Sequence, residues 1–111
     1  MHSEKQIESR LVKGVEKLGG TAEKFTSPAR RNVPDRLVTM PKKWHVLTGF
    51  DDVRGAAQIS FVECKKEGEK PTHAQRRDHI RRIRMGCKVF VVDSYQAVDL
   101  FLVGALPEER I

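Results

Sequence analysis

Apolar positions along this chain follow two spacings. Ile7, Leu11, Val15 and Leu18 recur at intervals of four, four and three, which predicts one apolar stripe on a helix. Ser3-Glu4-Lys5-Gln6 at its start reads as a capping box: the Ser3 hydroxyl accepts from the Gln6 N–H and the Gln6 side chain reaches back. Gly19-Gly20 stops the helix. Thr21 to Thr26 is expected to be extended. Ser27 to Pro34 holds two prolines, which forbid helix and make a loop. Arg36 to Met40 reads as a strand closed by Pro41. Lys42 to Ala57 has a poor pattern and is expected to be a long hairpin connection, with strand at most over Trp44 to Leu47.

Gln58 to Lys65 alternates with period two, the mark of a strand. Ile59, Phe61 and Glu63 fall on one side; Ser60, Val62 and Cys64 fall on the other. After a turn at Glu67 to Pro71, Thr72-His73-Ala74-Gln75 forms a second capping box. Its helix is predicted to reach Met85 and end at Gly86. Lys88 to Asp93 is a buried strand. Ser94 caps a last helix, to about Gly104, that should bury Val98, Phe101 and Leu102. The order is helix, three strands, helix, strand, helix. The strand-helix-strand step implies a parallel pair, and the shorter connections before it imply antiparallel ones. The expectation is an α/β fold with a mixed central sheet flanked by helices.

Composition narrows this picture. With 111 residues, 39% of them apolar and 32% charged, residues 1–111 are expected to form a single domain. The longest apolar stretch, Leu100 to Leu106, is far below the roughly 18 residues of a membrane span. The N-terminus lacks the apolar block of a signal peptide, so a cytoplasmic protein is expected. Two cysteines, Cys64 and Cys87, are too few for a disulfide scaffold, and neither they nor the four histidines show zinc spacing. Lys and Arg number 21 against 15 Asp and Glu, a formal charge of +6. Such a balance fits a polyanionic partner or simple solubility, and charge alone does not decide.

The strand geometry proposes a chemistry. Residues two apart in a strand share a face, so Glu63 and Lys65 project together while Cys64 points away. If the strand opened by Pro34-Asp35 is a neighbour, the Asp35 and Glu63 carboxylates converge. Two such groups repel unless a cation joins them, and Mg²⁺ prefers hard oxygen ligands. Each acid also has a plain reading, as a strand-end or surface carboxylate. However, Glu63 shares its face with Ile59 and Phe61, which are expected to be buried, and a buried carboxylate without a partner is costly. Arg77, Arg81 and Arg84 lie on one helix face flanked by Arg76 and Arg82; Arg30 and Arg31 precede Pro34-Asp35. They fit phosphate contacts beside such a site, against the alternative of a solvated face. His73 and His79 are read as surface residues. Trp44 and Phe50 are expected to pack at a subunit interface, against the alternative of stacking on bases.

Pro34-Asp35 with Glu63-Cys64-Lys65 28 positions after the Asp resembles the PD-(D/E)xK nuclease signature. Together with Ser3-Glu4-Lys5-Gln6-Ile7, Leu18-Gly19-Gly20, Val33-Pro34-Asp35-Arg36 and Gln75, the chain resembles a stand-alone, phage-type VRR-NUC domain (virus-type replication-repair nuclease) over roughly Ser3 to Ser94. The resemblance implies a restriction-endonuclease-like αβββαβ core with an extra C-terminal helix. It implies Asp35, Glu63 and the Cys64 backbone carbonyl as metal ligands for Mg²⁺, with Mn²⁺ able to substitute. Lys65 would orient the attacking water and steady negative charge. Gln75 would support the site, and Glu4 would bind a second metal or a metal-bound water, with Glu8 the competing candidate. Hydrolysis to 5′-phosphate and 3′-hydroxyl ends is implied likewise. Asn32 stands where a Gly is frequent, although Asn tolerates the same backbone region.

The expected function is a metal-dependent DNA endonuclease, cutting four-way junctions or other branched DNA as a homodimer in a phage-infected or prophage-carrying bacterium. No organic cofactor is expected. Phe101 to Leu106 and the long hairpin are the suspected interface. The rivals are a branched-DNA-binding module that does not cut, and a docking subunit of a replication or repair assembly.

Overall fold

The computed structural model describes residues 1–41 and 58–111. Helix α1 (Glu4–Lys17) is followed by strands β1 (Thr21–Lys24), β2 (Arg36–Met40) and β3 (Gln58–Cys64), helix α2 (His73–Arg84), strand β4 (Val89–Val92) and helix α3 (Tyr95–Leu102). The strands form one sheet in chain order, β1-β2-β3-β4. β1 with β2 and β2 with β3 pair antiparallel, and β4 runs parallel to β3 across the α2 crossover, as expected. The expected strand at Trp44 to Leu47, the hairpin reading of Lys42 to Ala57, and the roles weighed for Trp44 and Phe50 lie outside the described residues.

Both predicted capping boxes are formed. Ser3 Oγ accepts from the Gln6 N–H at 3.2 Å, and Gln6 Oε1 accepts from the Ser3 N–H at 2.8 Å. Asn32 carries a φ of 60°, the left-handed conformation that Asn tolerates and that turns the chain toward Pro34.

Register assigns the two faces of the sheet. Ala22, Val38, Met40, Val62, Cys64, Phe90 and Val92 lie on one face and are all buried against Ile7, Leu11 and Val15 of α1 and Ala97, Val98 and Phe101 of α3. The opposite face carries Phe61, Glu63 and Val89, and α2 docks there. The residues that α2 buries are Asp78, His79 and Arg82, not aliphatic ones. The Arg82 guanidinium lies over the rings of Phe25 and Phe61, 5.1 and 4.6 Å from their centroids, and its Nε donates to Asp78 at 2.8 Å. α2 is thus held by a stacked cation and polar contacts.

Two expectations are corrected. Ile59 is 58% exposed and Phe61 only half-buried, so the Glu63 face is not the apolar one. Leu18 is the C-cap residue and stands exposed, because the helix stripe ends one turn earlier. Phe101 fills the core and Leu106 packs on it, while Val103 of the same segment is exposed. Among the described residues no helix is long and apolar enough to cross a membrane.

Candidate active site

The backbone at the end of β3 sets the site. Phe61 N–H donates to the Lys88 carbonyl and Lys65 N–H to the Val92 carbonyl, each at 2.9 Å, so these residues bond toward β4. Strand alternation then turns Val62 and Cys64 toward β2. Arg36 pairs with Val62, so the next β2-facing residue, Cys64, stands opposite Pro34. Proline has no N–H to give to the Cys64 carbonyl. The Cys64 N–H is taken by Asp35 Oδ2 at 2.7 Å. The Pro-Asp pair therefore ends the ladder and fixes the Asp35 side chain on the next strand. Burial and the Asp35 charge push the Cys64 thiol up, so it remains a neutral core thiol.

Glu63, one residue earlier, is 2% exposed. Its carboxyl is pushed up to about 9, first by burial, then by a hydrogen bond with Asp35 and by the Asp35 charge, with Lys65 acting the other way. The two carboxyls thus meet, as the strand argument predicts. Glu4, from the start of α1, is also raised, by burial and then by the charge of Asp35. Lys65 is buried, with Nζ 3.7 Å from Glu69 Oε1. Glu8, the competing candidate, pairs with Arg36 at 2.8 Å and is engaged there.

Helix α2 closes the site from the other side. Gln75 Oε1 accepts from the Thr72 N–H at 2.9 Å, and Thr72 Oγ1 accepts from the Gln75 N–H at 3.1 Å. The same Gln75 presents Nε2 to Glu63 Oε2 at 3.5 Å. One amide thus serves cap and site: a Glu at this position would complete the capping box equally well but turn a carboxylate toward Glu63. His79, one turn on, places Nε2 3.3 Å from Glu63 Oε1 with both side chains buried. This corrects the surface reading of His79. The four-residue spacing from Gln75 was the available signal, since it puts both on one helix face. Burial holds the His79 pKa below its ordinary value, so the ring is neutral near pH 7.

The basic residues divide. Arg30 and Arg31 are exposed ahead of Asp35, and Arg77 and Arg84 are exposed on α2. Arg76 pairs with Glu109 at 3.2 Å and donates to the Arg110 carbonyl. Arg81 is half-buried and pairs with Asp78 at 3.2 Å. Arg82 is structural. Arg76 and Arg77 line a cleft of about 510 Å³ with Lys70, Thr72, His73 and Asp93, at the carboxyl ends of the parallel strands. Ligands commonly bind α/β sheets at such a crevice.

Among the described residues no group of three or more His, Cys, Asp and Glu side chains is arranged as a metal cage. Two hard carboxylates and a strand-end carbonyl nevertheless suit Mg²⁺, which keeps several waters. Glu63 holds its proton first because it is buried and then because Asp35 is beside it, and a cation between the two carboxyls would offset both effects.

No family model matches the chain. It is 47% identical over 91 residues to "Putative nuclease p44" of Acyrthosiphon pisum secondary endosymbiont phage 1, covering 82% of this chain and 83% of that protein. A solved structure described as a VRR_NUC domain matches with a TM-score of 0.70 at 35% identity, covering 88% of this chain and 92% of the other. The meeting of Asp35, Glu63 and Lys65 at the end of β3, the αβββαβ order, and these two similarities agree, and the chain belongs to the VRR-NUC family.

Proposed function

We propose that the protein is a Mg²⁺-dependent DNA endonuclease acting in the cytoplasm, with Mn²⁺ able to substitute. The observation that carries this is the buried Glu63 carboxyl against Asp35, with Lys65 on the same strand face. Asp35, Glu63 and the Cys64 carbonyl would hold the ion. Glu4, in preference to Glu8, which is paired to Arg36, would serve a second ion or a bound water. When bound, a divalent ion supplies an acidified water and charge neutralisation on the phosphate.

The chain's own residues do the rest. Lys65 brings a positive charge beside the carboxylates, where charge develops on the phosphate in the transition state. Gln75 donates toward Glu63 and limits its rotation. Arg30 and Arg31 on one side and Arg76, Arg77, Arg81 and Arg84 on the other would grip the backbone. Arg76 and Arg81 must first exchange Glu109 and Asp78 for phosphate.

Each chain would carry one site, so a paired cut needs two copies related by a two-fold axis. A four-way junction offers two symmetric strands, which makes it the preferred substrate. The test is cleavage of a labelled junction and a matched duplex, with Mg²⁺ or Mn²⁺, by the wild type and by Asp35→Ala. Paired junction cuts, absent in the variant and with chelator, are expected. Unpaired nicking would discard the junction reading. Binding without any cutting would favour the binding module; weak, salt-insensitive binding would favour the docking subunit.

A further inference from the structure

We infer that His79 is a positioning residue for Glu63: its Nε2–H donates to Glu63 Oε1 while Gln75 holds Oε2, so that α2 grips both oxygens of the carboxylate. This rests on the reading of Asp35 and Glu63 as the metal-holding pair.

His79 is fully buried, and its Nε2 stands 3.3 Å from Glu63 Oε1. The Nδ1 atom is buried and has no hydrogen-bond partner among the described residues. A residue present only to fill space would do so better as Leu or Met, because an unpaired buried polar atom costs about 1–3 kcal/mol. Among the described residues the ring's one polar contact is with Glu63. Gln75 and His79 are four apart on α2, so their donors are stacked along one helix face and reach one side chain from the same direction. The helix itself is fixed independently, by the capping box at Thr72 and by Arg82 stacked between Asp78 and two rings. A rigid helix with two donors on one carboxylate leaves that carboxylate a single orientation. Partners of this kind, one bond away from a metal ligand, tune affinity by holding the ligand's geometry.

The test compares His79→Gln, which can place an amide N–H near the position of Nε2, with His79→Leu, which fills the space and offers no donor. Both are made in the full chain beside Glu63→Gln. Mn²⁺ affinity is measured by calorimetry, junction cleavage is followed in parallel, and folding is checked by circular dichroism and Tm. His79→Leu is expected to weaken Mn²⁺ binding and turnover by about 10–100-fold, and His79→Gln to recover most of both. A folded His79→Leu with wild-type Mn²⁺ affinity overturns the inference. So does a His79→Gln as impaired as His79→Leu. If Glu63→Gln itself keeps Mn²⁺ binding and cleavage, the reading of the site fails, which is a distinct result. A measurement on the wild type does not depend on any variant folding: imidazole ¹⁵N NMR of the Mg²⁺-loaded protein should report the Nε2–H tautomer, and Nδ1–H there overturns the inference.

Discussion

Glu63→Gln should make the metal-free protein more stable, and more so as pH rises. In the folded chain Glu63 keeps its proton up to about 9, while its ordinary value is 4.5. The native state therefore binds more protons than the unfolded state between those values. Stability from this group is fully present below 4.5 and is lost as pH rises toward 9. At about 1.4 kcal/mol per pH unit, the loss between pH 5 and pH 8 has an upper bound of about 4 kcal/mol. Relaxation and entry of water reduce it, and about 1–3 kcal/mol is expected. Gln is neutral throughout. Its amide can donate to Asp35 and its carbonyl oxygen can accept from His79 or Gln75, so it mimics the protonated acid. Other titrating groups are shared by the two proteins and largely cancel in the difference. Urea and thermal melts with chelator at pH 5 and pH 8 read the effect. The Tm gap should widen by about 4–12 °C at the higher pH. Mg²⁺ should raise the wild-type Tm and leave the variant unchanged. Equal gaps at both pH values would refute the reasoning, because Glu63 would then be ionised in the metal-free fold.

Three further outcomes are expected. Lys65→Met should lower turnover about 10²–10³-fold while DNA binding persists, as separate cleavage and binding assays would report. Gln75→Ala and Thr72→Ala should each cost about 1 kcal/mol through the α2 cap, read by denaturant melts. Only Gln75→Ala should also reduce cleavage, because Thr72 does not reach Glu63. Arg77→Ala with Arg84→Ala should reduce the slope of log affinity against log salt by about 0.9 per lost phosphate contact, whereas Arg82→Met should cost about 1–3 kcal/mol of stability by removing the nearer of the two arginines on Asp78 and leave the DNA affinity of the folded fraction unchanged.

Local chemistry is what the sequence exposed well. Ser3 with Gln6 and Thr72 with Gln75 are complete capping signals within four residues, and both boxes form. Pro34-Asp35 and Glu63-Cys64-Lys65 were legible because strand alternation and pairing alone bring their ends together. The burial of Glu63 was anticipated for a mistaken reason, through Ile59 and Phe61; what covers it is α2. That helix was the hard part. His79 and Arg82 are polar, and hydrophobic periodicity has no means of marking a polar residue as buried. Their burial depends on Glu63, 16 positions away from His79, and on Phe25 and Phe61 beneath Arg82. The arginine repeat read as one phosphate-binding face is divided by those same contacts among the cleft, the solvent and the sheet.

The two ends of the sheet have separate fates under change. β2 leaves the Asp35 end and stops at Met40, which pairs with Gln58, where β3 begins its return toward Glu63. The segment joining them, 41–57, therefore departs and re-enters at the end remote from the carboxylates, about 15 Å away by strand rise. Strand pairing from Met40 to Arg36 carries the register to the site whatever the joining segment's length. A change confined to the Met40–Gln58 end should therefore leave Arg36 opposite Val62, and with that register the facing positions of Asp35 and Glu63, where they are.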